Sequence, residues 1–301
     1  MDQILNYLNK SQISDKSKTL YANNISRVIK ALNIEPDQII DKKDEIYNYL
    51  VEKYPNSNTR RNYLAAFSAI STMTGNDESA IKFFNDKVQE LNNQYSDQNS
   101  TGIISDKQKP SFEVGIDGLH KLIDTLRDMP NKTNGQKTAL LCYQILMEIP
   151  LRNELASLEF IRKSIFDKLS YEKRRDRNFI VTTMASMEMV RYAYKTGKTY
   201  GEIRTPISEY LRQKLLLYKI DVGIGPLFRD GSGNRLTNQQ LAELLFHTSK
   251  KILGVPVSTT LFTKIRLSHQ YAESVDALKN EAANRGHSTG VQQSVYIKKM
   301  E

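Results

Sequence analysis

From residue 149 onward, four short stretches carry residue types suited to work on an anionic oxygen. Ile149-Pro150-Leu151-Arg152-Asn153-Glu154 sets an arginine in a turn ahead of an amphipathic run, and Lys195-Thr196-Gly197-Lys198 is a turn holding two lysines. Leu261-Phe262-Thr263-Lys264-Ile265-Arg266-Leu267-Ser268-His269 strings a hydroxyl, an ammonium, a guanidinium and an imidazole along one segment. Arg285-Gly286-His287-Ser288-Thr289-Gly290 is followed by Tyr296, nine residues after His287. Guanidinium groups keep a fixed positive charge and donate to phosphate or carboxylate in pairs. Histidine exchanges protons near neutrality, and a tyrosine hydroxyl is a usable nucleophile. Each residue also has a plain structural reading. An arginine at a helix start is normally exposed, a charged turn is normally solvated, and with 16 tyrosines in the chain any one alone is a weak candidate.

The chain that must position these groups has 301 residues, 39% hydrophobic and 26% charged. That is enough for two ordinary domains and argues against wholesale disorder. The net charge is +9; residues 1–95 hold 12 Lys and Arg against 12 Asp and Glu, so the whole surplus lies in 96–301. A basic surplus favours a polyanionic partner, because displacing phosphate counterions drives association. The one cysteine, Cys142, excludes a disulfide within the chain and a Cys-rich zinc site. It falls in the apolar run Leu140-Leu141-Cys142-Tyr143, which suits a buried structural thiol. No run approaches the roughly 20 apolar residues that cross a bilayer, and Met1-Asp2-Gln3-Ile4-Leu5-Asn6 lacks the regions of a signal peptide. The expectation is an intracellular, metal-independent protein with no membrane partner.

Residues 1–95 read as helices throughout. Leu20, Ile25, Val28, Ile29 and Leu32 form a helical stripe after Ser17, and Ile34-Glu35-Pro36 breaks it. A second helix runs near Asp44–Lys53 with Ile46, Tyr49 and Leu50 inward, a third begins with Arg60 and Arg61 after Thr59, and a fourth covers about Glu78–Asn92. Arginines at a helix start oppose the helix dipole, so DNA phosphate is one candidate partner and an ordinary solvated face the other. The polar stretch from Ser96 to Pro110 has linker composition. Beyond it, helical patterns cover about Ile116–Asp128, Lys137–Met147 and Glu154–Phe160. The β-type runs Asn178–Thr183 and Met189–Tyr194, with the Lys195–Lys198 turn leading on to Pro206, suggest a hairpin. The pattern is helical again to the end, apart from an interruption at Gly223–Asn234.

Gly286-His287-Ser288 with Tyr296 nine residues after the histidine is similar to the C-terminal signature of tyrosine recombinases and phage-type integrases. Arg152, the hairpin lysines and Arg266 precede it in that family's order. The helical half, with its Thr19-centred start and the segment Asn58-Thr59-Arg60-Arg61-Asn62-Tyr63, resembles the family's core-binding domain. The resemblance therefore covers nearly the whole chain. It implies a mainly α chain with a small β-sheet (α+β): a helical, SAM-like core-binding domain over 1–95, a linker over 96–112 and a catalytic domain over 113–301. It also implies double-stranded DNA as partner, a homo-tetramer on that DNA, a location wherever the DNA is (cytoplasm or nucleus), and no cofactor. No phosphate-cradling glycine motif appears in the sequence.

The implied reaction breaks a phosphodiester without metal, which needs cations around the non-bridging oxygens. Arg152 and Arg266 would supply them, His287 a further hydrogen bond or a proton path, and Tyr296 the attacking oxygen. Lys195, or Lys198, would protonate the departing 5′-oxygen. Lys18, Arg60 and Arg61 are the candidate DNA contacts of the N-terminal half. Two positions depart from the family pattern. Thr263, with Lys264 beside it, stands where the His of His-x-x-Arg is expected, with His269 one turn beyond Arg266. Leu155 stands where an acidic residue is expected, with Glu154 one residue early. A type IB topoisomerase shares the chemistry, and a DNA-binding protein of this fold with weakened catalysis is the other alternative. Only Ile297–Glu301 follows Tyr296, too short for a docking helix, so tetramer contacts are expected from elsewhere.

Overall fold

The computed structural model describes residues 2–9, 13–74, 78–100, 104–149, 151, 153–194 and 197–284. The chain divides into two compact units, Met1–Ile103 and Ile104–Glu301.

The first unit is helical: α1 (Asp2–Asn9), α2 (Asp15–Leu32), α3 (Lys43–Lys53), α4 (Ser57–Thr74) and α5 (Glu78–Ser100), with a 3-10 turn at Pro36–Gln38. The Ser14 hydroxyl accepts from the Ser17 amide and starts α2. Asn33 ends it in the left-handed region (φ 52°), a conformation asparagine tolerates better than most residues. Ile25, Val28, Ile46, Leu50, Leu64, Phe67 and Phe84 fill the core, with the Phe67 and Phe84 rings 5.6 Å apart. Leu20, expected inward, is 49% exposed. The inward arc of α2 is narrower than the stripe, because burial falls on Ala22, Ile25 and Val28. Helix α4 starts at Ser57, where the Asn56 side chain accepts from the Thr59 amide, so Arg60 and Arg61 close the first turn. Helix α5 continues through Ser100 into the stretch of linker composition, where Ser96 and Asp97 are exposed.

The second unit runs α6 (Lys109–Phe112), α7 (Gly115–Asp128), α8 (Asn134–Glu148), a 3-10 turn (Asn153–Ser157), β1 (Leu158–Arg162), α9 (Lys163–Phe166), α10 (Tyr171–Arg174), β2 (Asn178–Thr182), β3 (Met187–Arg191), α11 (Gly197–Tyr200), β4 (Ile203–Pro206), α12 (Glu209–Val222), β5 (Gly225–Pro226), α13 (Asn238–Leu253) and α14 (Thr259–Asn284). The chain is therefore mostly helical with a small mixed sheet. Thr133 with Gln136 and Thr237 with Gln240 form capping boxes that start α8 and α13.

The sheet order is β4-β3-β2-β1-β5, with β1 and β2 parallel and the other neighbours antiparallel. Its two faces bury different clusters, as side-chain alternation requires. Phe160, Ile180, Met187 and Met189 join the main helical core, whereas Ile161, Phe179, Val181 and Val190 pack with Phe166 of α9 on the other face. The Glu154–Phe160 run, expected as helix, splits into the 3-10 turn and strand β1. Burial on both faces erases the alternation that marks a half-buried strand, and a short apolar run then mimics a helix. The tight hairpin turn is Thr183–Ser186, between β2 and β3, where the Thr183 hydroxyl accepts from the Ala185 and Ser186 amides. Strands β3 and β4 do pair, but their connection runs from Tyr192 to Glu202 and contains α11 instead of a four-residue turn.

Candidate active site

Helix α14 carries the third sequence cluster, and three apolar contacts fix its rotation. Leu261, Phe262 and Ile265 are buried in the main core, and Phe262 stacks on Tyr143 at 5.5 Å. Ahead of it, Gly254 caps α13 with φ +80°, and the fully buried Ser249 hydroxyl accepts from the Val257 amide. Thr263 and Arg266 lie one turn apart on a flank of that apolar stripe. The Thr263 hydroxyl donates to the Leu151 carbonyl at 3.4 Å, which ties α14 to the residue immediately before position 152. Arg266 is half-buried, and its Nη1 is buried with no hydrogen-bond partner among the described residues. A buried guanidinium nitrogen without an acceptor is costly, and an anion is the natural acceptor.

The neighbouring candidates separate from this pair. Lys264 is exposed and its Nζ donates to the Gln108 side chain at 3.2 Å. His269 is exposed further along α14. Arg152, Lys195, His287 and Tyr296 lie outside the described residues. Lys198 falls in α11, whose backbone is described but whose Lys198 side chain is not.

Two groups absent from the candidates organise the surroundings. Glu154 faces Arg191, at the end of β3, at 4.0 Å; both side chains are largely buried. Burial pushes the Arg191 guanidinium below its usual range, with Glu154 and Tyr194 acting in the opposite sense. Leu155, at the position where a carboxylate was expected, is fully buried in the main core. The second group is Asn178, fully buried at the start of β2. Its amide nitrogen donates to the Ser157 hydroxyl (2.6 Å) and the Ala193 carbonyl (2.8 Å), and its oxygen accepts from the Tyr192 and Ala193 amides (3.0 Å each). One side chain thus joins the 3-10 turn that follows position 152 to the connection that leads to position 195. Beyond that, Gly197 is required: a Cβ there would sit 2.4 Å from the Tyr192 carbonyl oxygen. The Tyr194 hydroxyl donates to the Gly201 carbonyl and holds α11 down. A buried asparagine at a strand start gave no sequence signal of this role, whereas Glu154 stood out by its nearness to Arg152.

In the first unit, Arg61 donates to the Asn92 side chain at 3.3 Å and lies over the Tyr95 ring at 4.8 Å, tying α4 to α5. Arg60 is half-buried and its Nε has no hydrogen-bond partner among the described residues. Lys18 pairs with Asp15 at 3.3 Å. Among the described residues, no helix is long and apolar enough to cross a membrane.

No family model matches the chain, and no curated protein does. Among solved structures, it is similar to that described as the crystal structure of XerA recombinase, over 97% of this chain and 90% of that one. The identity is 14% and the TM-score 0.32, a likeness that carries no argument about this chain.

Proposed function

We propose that this chain is a site-specific recombinase or integrase that cuts and rejoins double-stranded DNA through a tyrosine–phosphate intermediate, with Tyr296 as nucleophile. In this reading the Tyr296 oxygen attacks the phosphorus and displaces the 5′-oxygen, leaving a 3′-phosphotyrosine bond. The 5′-oxygen takes its proton from Lys195 or Lys198, and Arg152, Arg266 and His287 balance the charge on the non-bridging oxygens. One phosphoester is exchanged for another, so rejoining needs no cofactor. Residues 1–95 would hold one face of the duplex as a core-binding domain and 113–301 would carry the catalysis, with four copies acting together on DNA.

The observation that carries the reading is Arg266. Its half-buried guanidinium keeps a buried nitrogen with no acceptor among the described residues, one helical turn from the Thr263 hydroxyl that contacts Leu151. An anionic substrate oxygen would satisfy it. The test uses nicked suicide duplexes cut from the DNA flanking the chain's own gene. Wild type should give a denaturation-resistant protein–DNA adduct and Tyr296→Phe none. Four-way-junction resolution by the same protein would separate a recombinase from a type IB topoisomerase, which would relax supercoils without acting on junctions.

One observation favours a second reading, a DNA-binding protein of the same fold with weakened catalysis. The single Thr263 donor is engaged with a backbone carbonyl and Lys264 turns to Gln108, so neither is free to replace the donor expected from histidine. Specific DNA binding with no adduct on any flanking duplex would select it.

A further inference from the structure

Between the C-terminal part of α7, the N-terminal half of α8 and the middle of α12 lies a cavity of about 390 Å³. Its rim carries four cations, Arg127, Lys132, Lys137 and Lys214, and no carboxylate lines it. Leu140, Leu141 and Leu217 give it an apolar lining. Of the four cations, Arg127 is already balanced by Asp124 (2.9 Å) and Asp128 (3.2 Å). Lys132 donates to the Met129 carbonyl, and Lys214 lies over the Tyr210 ring. The local field is positive.

The apolar lining continues outside the cavity. Leu217 is 62% exposed, Ile220 80% and Ile224 48%. Leu217 and Ile220, three residues apart, lie about one turn apart on α12, and Ile224 follows the Gly223 cap that ends the helix. Branched aliphatic side chains exposed to that degree in one stretch mark a contact surface more than ordinary solvated helix. Lys137 and Leu140 precede the end of α8 by two to three turns, so this face is separate from the Thr263–Leu151 contact.

We infer that this face docks an acidic amphipathic helix of a partner protein. The exposed aliphatics and the leucine lining take apolar anchors repeating at three and four residues, the mode by which helices lie in grooves. The lysine rim meets carboxylates flanking those anchors and steers the encounter. DNA phosphates would satisfy the rim but leave the exposed aliphatics in water. The inference does not depend on the reaction proposed for Tyr296.

The test measures fluorescence anisotropy of a labelled synthetic peptide of about 16 residues, long enough for four turns, against the full chain. Leucines repeat along one face and glutamates fill the rest. A second peptide of the same composition, scrambled to destroy the face, is the control. The amphipathic peptide should bind at least about tenfold tighter than the control, a difference resolvable by titration. Leu217→Ser and Lys214→Glu should each weaken it about fivefold or more, and binding should fall with added salt. Both substituted residues are on the surface, and circular dichroism checks that the variants remain folded. Three results would overturn the inference: equal binding of the two peptides, displacement of the peptide by a short DNA duplex whose binding Lys214→Glu also weakens, or self-association of the chain that Leu217→Ser abolishes.

Discussion

Replacing Asn178 by alanine removes one buried side chain but breaks four hydrogen bonds. Ser157 loses only a donor to its hydroxyl oxygen, which water can replace. It donates at 2.6 Å to the Glu154 carbonyl already, so its loss is minor. The Tyr192 amide, the Ala193 amide and the Ala193 carbonyl have no such freedom, because β3 has just ended and no strand partner remains for them. At about 1 kcal/mol for each stranded backbone group, the variant should lose about 3 kcal/mol, with water entering the vacated space holding it below the full desolvation penalty. That is a large fraction of a typical domain's 5–15 kcal/mol. Urea unfolding followed by circular dichroism should show a lower midpoint for the second unit with an unchanged slope. Amide exchange should accelerate selectively at Tyr192 and Ala193. A loss under about 1 kcal/mol, with native exchange rates at those two amides, would refute the idea that Asn178 anchors the connection to position 195.

Three further outcomes follow from the same structure. Glu202 lies below the usual carboxylate range: burial works to raise it, but hydrogen bonds donated by Tyr192 and Arg204 prevail. A carboxylate depressed in the folded state contributes stability above its unfolded value, about 4.3, and that contribution fades as the pH falls towards the folded value. Glu202→Gln should therefore flatten the loss of stability below about pH 4.3, and parallel pH profiles for the two proteins would exclude the assignment. The Cys142 thiol is fully buried and burial pushes it well above its ordinary range; thiol reagents at pH 8 should label it only as the second unit unfolds, and stoichiometric labelling of native protein within minutes would contradict the packing. Thr263→Val removes a long hydrogen bond and should cost about 1 kcal/mol or less, with a change of under about threefold in adduct formation. A fall of about a hundredfold, the scale for losing an oxyanion donor, would show instead that the hydroxyl serves the substrate.

Where the sequence failed to give the fold, tertiary burial overrode the local pattern. Helices with one-sided stripes, such as α7 over Gly115–Asp128, were legible because their signals are local. Strand β1 was not. Leu158, Phe160 and Ile161 are apolar on both faces of the sheet, and Glu159 between them is itself buried, held by Arg177 and Arg235. A buried carboxylate read in isolation looks like the polar side of a helix; only the two arginines, one from before β2 and one after β5, explain it.

The candidate site divides along a similar line. Residue type and order suggest which groups do chemistry, because a guanidinium or a phenol has its reactivity wherever it stands. The chain beside positions 152 and 195 is tied by partners far apart in sequence: Asn178 reaches back 21 residues to Ser157 and forward 15 to Ala193, and Thr263 reaches back 112 to Leu151. Position 263 shows why the distinction matters. Read as a sequence position, a threonine in place of histidine is a weaker donor to the substrate. In the structure its hydroxyl has one hydrogen, and that hydrogen points at a backbone carbonyl. The same residue then holds α14 against Leu151, one turn from Arg266, whose buried Nη1 has no hydrogen-bond partner among the described residues. If cleavage proceeds here, the charge that histidine would have shared falls on Arg266, and the adduct rate should respond far more to that guanidinium than to the threonine beside it.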